Sequence, residues 1–197
     1  MKHIVLSFAR CQGITKGHQK VFELVDTLAK RYGADAYVYF SKTQDNKNNP
    51  LSHEYRVKMC KNMMPSLAYM FQNDTAIRTI FDMVRKHSDK KVTLHVVCGG
   101  DRLVEYQYKF DKYNNTDYNY KKIIVHNAGD RTDGISGTYL RTLAIQGNML
   151  KFLNNVPTSA EEISGFDLYC ALRLILKPEA LLNEIIEPIL ERESCTD

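Results

Sequence analysis

Short apolar runs of strand length alternate along this chain with segments whose apolar residues recur at helical spacing. That alternation restricts the fold more than any other feature. His3 to Phe8, Ala36 to Phe40, Val92 to Cys98 and Ile123 to Val125 are the strand-like runs. Between the first two, Val21, Leu24, Val25, Leu28, Ala29 and Tyr32 make one apolar helix face, with Gly33 where a C-cap glycine belongs. From His53 to about Phe71 the pattern is helical again, with a break expected at Pro65. Asp74 or Thr75 is expected to cap a further helix carrying Ile77, Ile80, Phe81 and Val84 inward. Another helix follows Gly99-Gly100, and then a Tyr- and Asn-rich loop from Tyr113 to Tyr120. From Ser136 onward the chain reads as helical, broken at Gly147 and Pro157, with Pro178 opening the last helix.

Strands alternating with helices predict βαβ units, a parallel sheet and right-handed crossovers. The expected fold is α/β: a Rossmann-like parallel sheet with flanking helices and a helical C-terminal tail. Residues 1–157 are read as the α/β domain and 158–197 as a helical extension packed on it. In such open sheets ligands bind beyond the carboxyl ends of the strands, where strand order reverses. The loops to watch are therefore 9–17, 41–52, 99–102 and 126–137.

With 44% apolar and 25% charged residues, 197 residues can bury a core without metal or disulfide support. A net charge of +4 is too mild to mark a nucleic-acid binder, though it suits a small anionic substrate. Cys11, Cys60, Cys98, Cys170 and Cys195 are scattered, odd in number and never form a C-x-x-C pair. That argues against a zinc site or a disulfide framework and fits a reducing compartment. No apolar run reaches the roughly 18 residues of a membrane span, and the amino terminus has no signal-like segment, so a cytosolic protein is expected.

Two stretches carry chemistry. In the first, Thr15, Lys16, Gly17 and His18 fall where the first helix begins. A helix amino terminus offers free N–H groups and partial positive charge to phosphate, and Gly17 lets the backbone come close. In the second, Arg131-Thr132-Asp133-Gly134-Ile135 leads into Ser136, placed to cap a helix, with Thr138 in its first turn. Arg141 lies three residues beyond Thr138, with a guanidinium able to grip pyrophosphate in bidentate fashion.

T-K-G-H at 15–18 and I-S-G-T-Y-L-R at 135–141 together resemble the nucleotidylyltransferase superfamily, marked by an H-x-G-H or T-x-G-H loop and a later I-S-x-T-x-x-R stretch. Cys98-Gly99-Gly100-Asp101 is similar to its strand-end G-x-D turn, and Ala144 to Pro157 to the segment after its arginine motif. Thr15 replaces the first histidine, as in phosphopantetheine adenylyltransferases. Arg10 with T-x-G-H resembles the branch that makes nicotinamide dinucleotides. The run from Arg131 to Ser136 resembles cytidylyltransferases, with Gly137 where they carry a threonine.

The resemblance implies transfer of a nucleoside monophosphate from ATP or CTP to a phosphate-bearing small-molecule acceptor, with release of pyrophosphate and with Mg2+ as charge partner. It makes His18, Thr15 and Arg141 the catalytic candidates. Phe8, Ala9, Arg10, Gly17, His18, Gly99, Asp101, His126, Ser136, Gly137, Thr138 and Arg141 become the nucleotide-binding set, and Lys42 with Arg10 the acceptor-binding pair. Asp101 equally suits a helix cap.

Two rival readings remain. A nucleotide-binding regulator without turnover would suit Thr15 and Gly137. A nucleic-acid-binding module would use Tyr106, Tyr108, Tyr113, Tyr118 and Tyr120, which alternate with lysines. The commoner use of such tyrosines is to cover a sheet edge. Met59, Met63, Met64 and Met70 read as packing residues. The apolar faces of 166–176 and 178–193 can seal the core or form a homo-oligomer contact.

Overall fold

A computed structural model of the chain describes residues 2–129, 135–157 and 163–181. Four strands, β1 (Lys2–Ala9), β2 (Asp35–Phe40), β3 (Val92–Cys98) and β4 (Lys122–Asn127), form one parallel sheet in the order β2-β1-β3-β4. The register pairs Ala9 with Phe40, Ser7 with Val97 and Cys98 with Asn127, so all four strands end at one edge. The chain moves outward from β1 to β2, then crosses back to β3 on the other side of β1. Strand order therefore reverses between β1 and β3, as in a Rossmann-like fold.

Helix α1 (Lys16–Tyr32) covers one face with α2 (His53–Met63), α5 (Gly137–Ile145) and α7 (Ile163–Leu176); α3 (Ile80–Lys86) and α4 (Leu103–Tyr113) cover the other. The short helices α6 (Met149–Leu153) and α8 (Pro178–Leu181) complete the order. Val5, Val38, Phe40 and Val97 face Phe22, Val25 and Leu28 of α1, while Ile4, Leu6, Leu94 and Val96 face Met83, Val84 and Phe110. Every residue of β3 is buried, the signature of a strand covered on both sides.

The start of α1 follows from local chemistry. The Thr15 side chain accepts from His18 N–H and the His18 ring accepts from Thr15 N–H, a capping box with histidine at its third position. Gly33 ends the helix with φ +56, and Ala34 N–H returns to the Ala29 carbonyl at 2.9 Å. The break at Pro65 is real: α2 stops at Met63 and Pro65–Met70 winds as a 3-10 helix.

One boundary departs from expectation. Thr79, not Asp74 or Thr75, caps α3, accepting from Asp82 N–H at 3.2 Å, while Asp82 takes the Thr79 N–H at 2.9 Å. Asp74 instead closes a turn on Ala76 N–H at 2.9 Å and pairs with Lys86. Ile77 is buried all the same, ahead of the helix.

The tyrosine-rich stretch is divided: Tyr108 and Tyr113 are exposed, while its end enters the core. Tyr118 and Tyr120 are buried, their hydroxyls donating to the Phe110 carbonyl at 3.2 Å and the Val84 carbonyl at 2.6 Å. Met59, Met63, Met64 and Met70 are buried as well. Leu168, Tyr169 and Leu172 of α7 share the core of the α1 face, and buried Arg173 donates to the Ala144 carbonyl at 2.6 Å, closing the end of α5. The expected helix from Pro178 begins there; its reach to residue 193 lies outside the described residues. Among the described residues no helix is long and apolar enough to cross a membrane.

Candidate functional site

At the sheet edge where strand order reverses, the loop after β1 turns into α1 through Cys11, Gln12, Gly13 and Ile14, all buried. Thr15 is 2% exposed, and its hydroxyl is 2.9 Å from His18 Nδ1. The hydroxyl is thus spent on the cap rather than turned outward. Because Nδ1 accepts from Thr15 N–H at 3.2 Å, the neutral His18 ring carries its proton on Nε2, and only Nε2 can donate to a ligand. Lys16 N–H is taken by the Asn155 carbonyl at 3.1 Å. Gly17 N–H has no protein acceptor among the described residues, and Gly17 is exposed.

The second motif meets the first directly. Ser136 caps α5 by accepting from Tyr139 N–H at 3.1 Å. Arg141 Nη1 donates to the Gln12 carbonyl at 3.0 Å and Nη2 to Thr138 Oγ1 at 3.0 Å. Gly13 and Gly137 touch backbone to backbone: a β-carbon on Gly13 would lie 2.9 Å from the Gly137 carbonyl oxygen. The amino ends of α1 and α5 therefore stand side by side. Residues 131–134, the lead-in to this motif, lie outside the described residues.

The loop after β2 closes a third side. Gln12 clamps it, its Oε1 accepting from Leu51 N–H at 2.8 Å and its Nε2 donating to the Leu51 carbonyl at 3.0 Å. Asp45 gathers N–H groups of Lys47, Asn48 and Asn49 and the Asn49 side-chain amide, which hold its carboxyl down at about 2. Burial, then the neighbouring Arg10, lower the Arg141 guanidinium from its usual value, and Asp45 opposes them. Arg10, Lys16 and Lys42 are exposed around the same edge, so the rim is cationic.

Other expected residues fall less centrally. Ala9 continues the sheet, its carbonyl accepting from Ser41 N–H at 3.0 Å, and Phe8 packs on the α3–α4 side. Gly99 opens the 3-10 turn after β3. Arg102, not Asp101, occupies the N-cap of α4, without a side-chain cap bond, and Asp101 Oδ2 lies 3.8 Å from Arg102 Nε. A 3-10 turn between strand and helix displaces the capping position by one residue. His126 is engaged inside the sheet: its Nε2 is 2.8 Å from His95 Nδ1, and His95 Nε2 is 3.0 Å from His3 Nδ1.

Sequence reasoning missed Gln12 and Arg56. Arg56 is fully buried, donating to the carbonyls of Arg10 (2.5 Å), Ser41 (2.7 Å) and Ser52 (3.2 Å). It ties the ends of β1 and β2 to α2. Neither residue belongs to a short motif, and their partners lie up to 46 positions away.

Among the described residues no group of three or more His, Cys, Asp or Glu side chains is placed to hold a metal ion. No model of a known protein family matches this chain, and no curated protein matches it.

Proposed function

We propose that this protein is a nucleotidylyltransferase, transferring a nucleoside monophosphate from ATP or CTP to the phosphate of a small-molecule acceptor. The observation that carries the reading is the junction of the two motif loops. Arg141 bonded to the Gln12 carbonyl and Gly13 packed on Gly137 bring two helix amino termini together at the strand-order reversal. Adjacent helix termini with a cationic rim make a polyanion site.

The triphosphate would lie across this junction, met by Gly17 N–H and His18 Nε2 on one side and by Ser136, Thr138 and Arg141 on the other. Thr15 acts as a positioning residue, fixing the tautomer of His18. The acceptor phosphate, held by Arg10 and Lys42, attacks the α-phosphorus in line; that P–O bond forms as the bond to the β-phosphate oxygen breaks and pyrophosphate leaves. No covalent enzyme intermediate is needed, so positioning and charge neutralisation supply the catalysis. Magnesium bound to the triphosphate would supply neutralisation of part of its charge.

Binding of ATP, CTP, GTP and UTP with magnesium, followed by thermal shift, tests the reading. A ligand at a hundredfold excess over its Kd adds ~2.7 kcal/mol of stability, an easily read shift. A response to ATP or CTP supports transfer and names the base. Stability unmoved by all four contradicts it.

A further inference from the structure

We propose that His3, His95 and His126 work as one proton-holding unit, a relay that shares a single proton between the two edges of the sheet. The three rings stand in a diagonal row on the α1 face. His95 pairs with Val5, two residues past His3, and His126 pairs with Val97, two residues past His95. Each strand therefore advances the row by two residues and keeps the side chains on one face. His3 sits near the amino end of β1, His126 near the carboxyl end of β4, and His95 between them.

The rings meet edge to edge. His3 Nδ1 lies 3.0 Å from His95 Nε2, and His95 Nδ1 lies 2.8 Å from His126 Nε2. Ring centroids are 5.2 and 5.1 Å apart, and neighbouring planes are inclined by 30° and 26°. Each centroid separation is close to the N···N distance plus a ring radius at either end. The contacts thus run nearly in the ring planes, where the N–H bonds and lone pairs of imidazole point. Tyr32 of α1 lies over His3 and His95, with centroids 4.9 and 4.5 Å away and planes inclined by 13° and 20°. His95 is 1% exposed, whereas His3 and His126 are half-buried. Protons enter and leave the row at its ends. The charges acting on His95 are those of the other two histidines, and Arg31 lies 5.7 Å from the Tyr32 ring centroid. Among the described residues no carboxylate bonds to any of the three rings.

The tautomers of such a row are locked together, because each N···N contact needs one N–H and one lone pair. In one neutral arrangement all three rings carry the proton on Nδ1; in the other, all three carry it on Nε2. From the first, a proton arriving at His3 Nε2 releases the Nδ1 proton to His95 Nε2. His95 Nδ1 then passes its proton to His126 Nε2, and His126 Nδ1 gives its own to solvent. Three N–H bonds form, three break, and the row is left in the second arrangement.

The same logic limits the charge. With one added proton every contact still sets an N–H against a lone pair. A second added proton would set two N–H groups against each other at one contact. The row therefore holds one proton where three separate imidazoles would hold three, and its ends titrate as a coupled pair. An anion bound at one end draws the proton from the other, so the two edges are linked.

Ring 15N NMR of the histidines in the full chain, followed from about pH 8 to 5 around the ordinary value of about 6.5, tests the proposal. His3 and His126 should share one midpoint, with changes that together amount to one proton. His95→Phe keeps a ring beneath Tyr32 but removes both nitrogens. It should separate the ends, so that each titrates fully and uptake by the two rises from one proton to two. His126→Phe, on the edge strand, provides the same contrast should His95→Phe fail to fold: His3 should then titrate fully. A full proton on His3 and another on His126 in the unaltered protein overturns the proposal. So does a pair of facing nitrogens that both carry a proton, or end titrations unmoved by the folded variant.

Discussion

Arg141 on α5 donates from Nη1 to the main-chain carbonyl of Gln12, 129 residues earlier, at 3.0 Å. The bond joins the amino ends of two helices that start from different strands, and its second arm reaches Thr138 Oγ1 at 3.0 Å. One side chain therefore ties the two loops to each other. Arg141→Ala should cost about 1–2 kcal/mol of stability, the scale of losing hydrogen bonds to a charged donor. It should lower nucleotidyl transfer by ~10²-fold or more, as removal of a transition-state donor does. Denaturant midpoints and pyrophosphate release measure the two effects separately.

His18→Ala should reduce turnover by ~10²–10³, with a stability loss of about 1 kcal/mol from the broken capping box. Turnover near wild type in a folded variant would remove His18 from the mechanism.

Gly13→Ala places a methyl group 2.9 Å from the Gly137 carbonyl oxygen and 3.0 Å from its α-carbon, at φ +151. Both neighbours are backbone, so the two loops must separate. A loss of roughly 1–3 kcal/mol is expected, together with weaker nucleotide binding. Gly33→Ala meets no atom within 4 Å and pays only for its φ of +56, so it should leave nucleotide binding intact.

Acid should destabilise the protein through the histidines that cross the sheet. Burial, then His126 and His3, hold His95 down at about 4 against an ordinary 6.5, and burial lowers His126. Tyr32 stacks on His95 at 4.5 Å, leaving little room for water. Between those pH values the unfolded chain binds a proton that the folded chain refuses. The stability is therefore full above pH 6.5 and falls as pH drops toward 4. About 1–3 kcal/mol should be lost across that window, read as urea midpoints, and His95→Gln should flatten the profile.

What was legible in the sequence was local. Thr15 and Ser136 cap their helices because a hydroxyl three residues before an N–H is a near-neighbour interaction, and Gly33 ends α1 for the same kind of reason. The buried run Val92–Cys98 reads as a strand from composition alone. Strand alternation, with the rule for open sheets, named the loops 9–17 and 41–52, which meet through Gln12 and Leu51. The capping residue of α3 was missed because Asp74, Thr75 and Thr79 are all competent caps, and packing of Ile80 and Val84 chooses among them.

What stayed hidden depends on register. His3, His95 and His126 meet because β1, β3 and β4 pair as they do, with no spacing in the chain to announce it. Gln12 and Leu51, and Arg56 and Ser41, meet through the same packing of distant segments. The Thr15 hydroxyl is engaged by His18, a pairing set by the helix cap.

The most direct test of the central claim is pyrophosphate release from magnesium ATP and magnesium CTP, assayed against phosphorylated mononucleotide, pantetheine, sugar and alcohol acceptors. The account predicts release with one triphosphate that depends on one acceptor class and falls sharply in Arg141→Ala. A folded protein that releases no pyrophosphate with any pairing, and whose melting temperature no triphosphate raises, would contradict it.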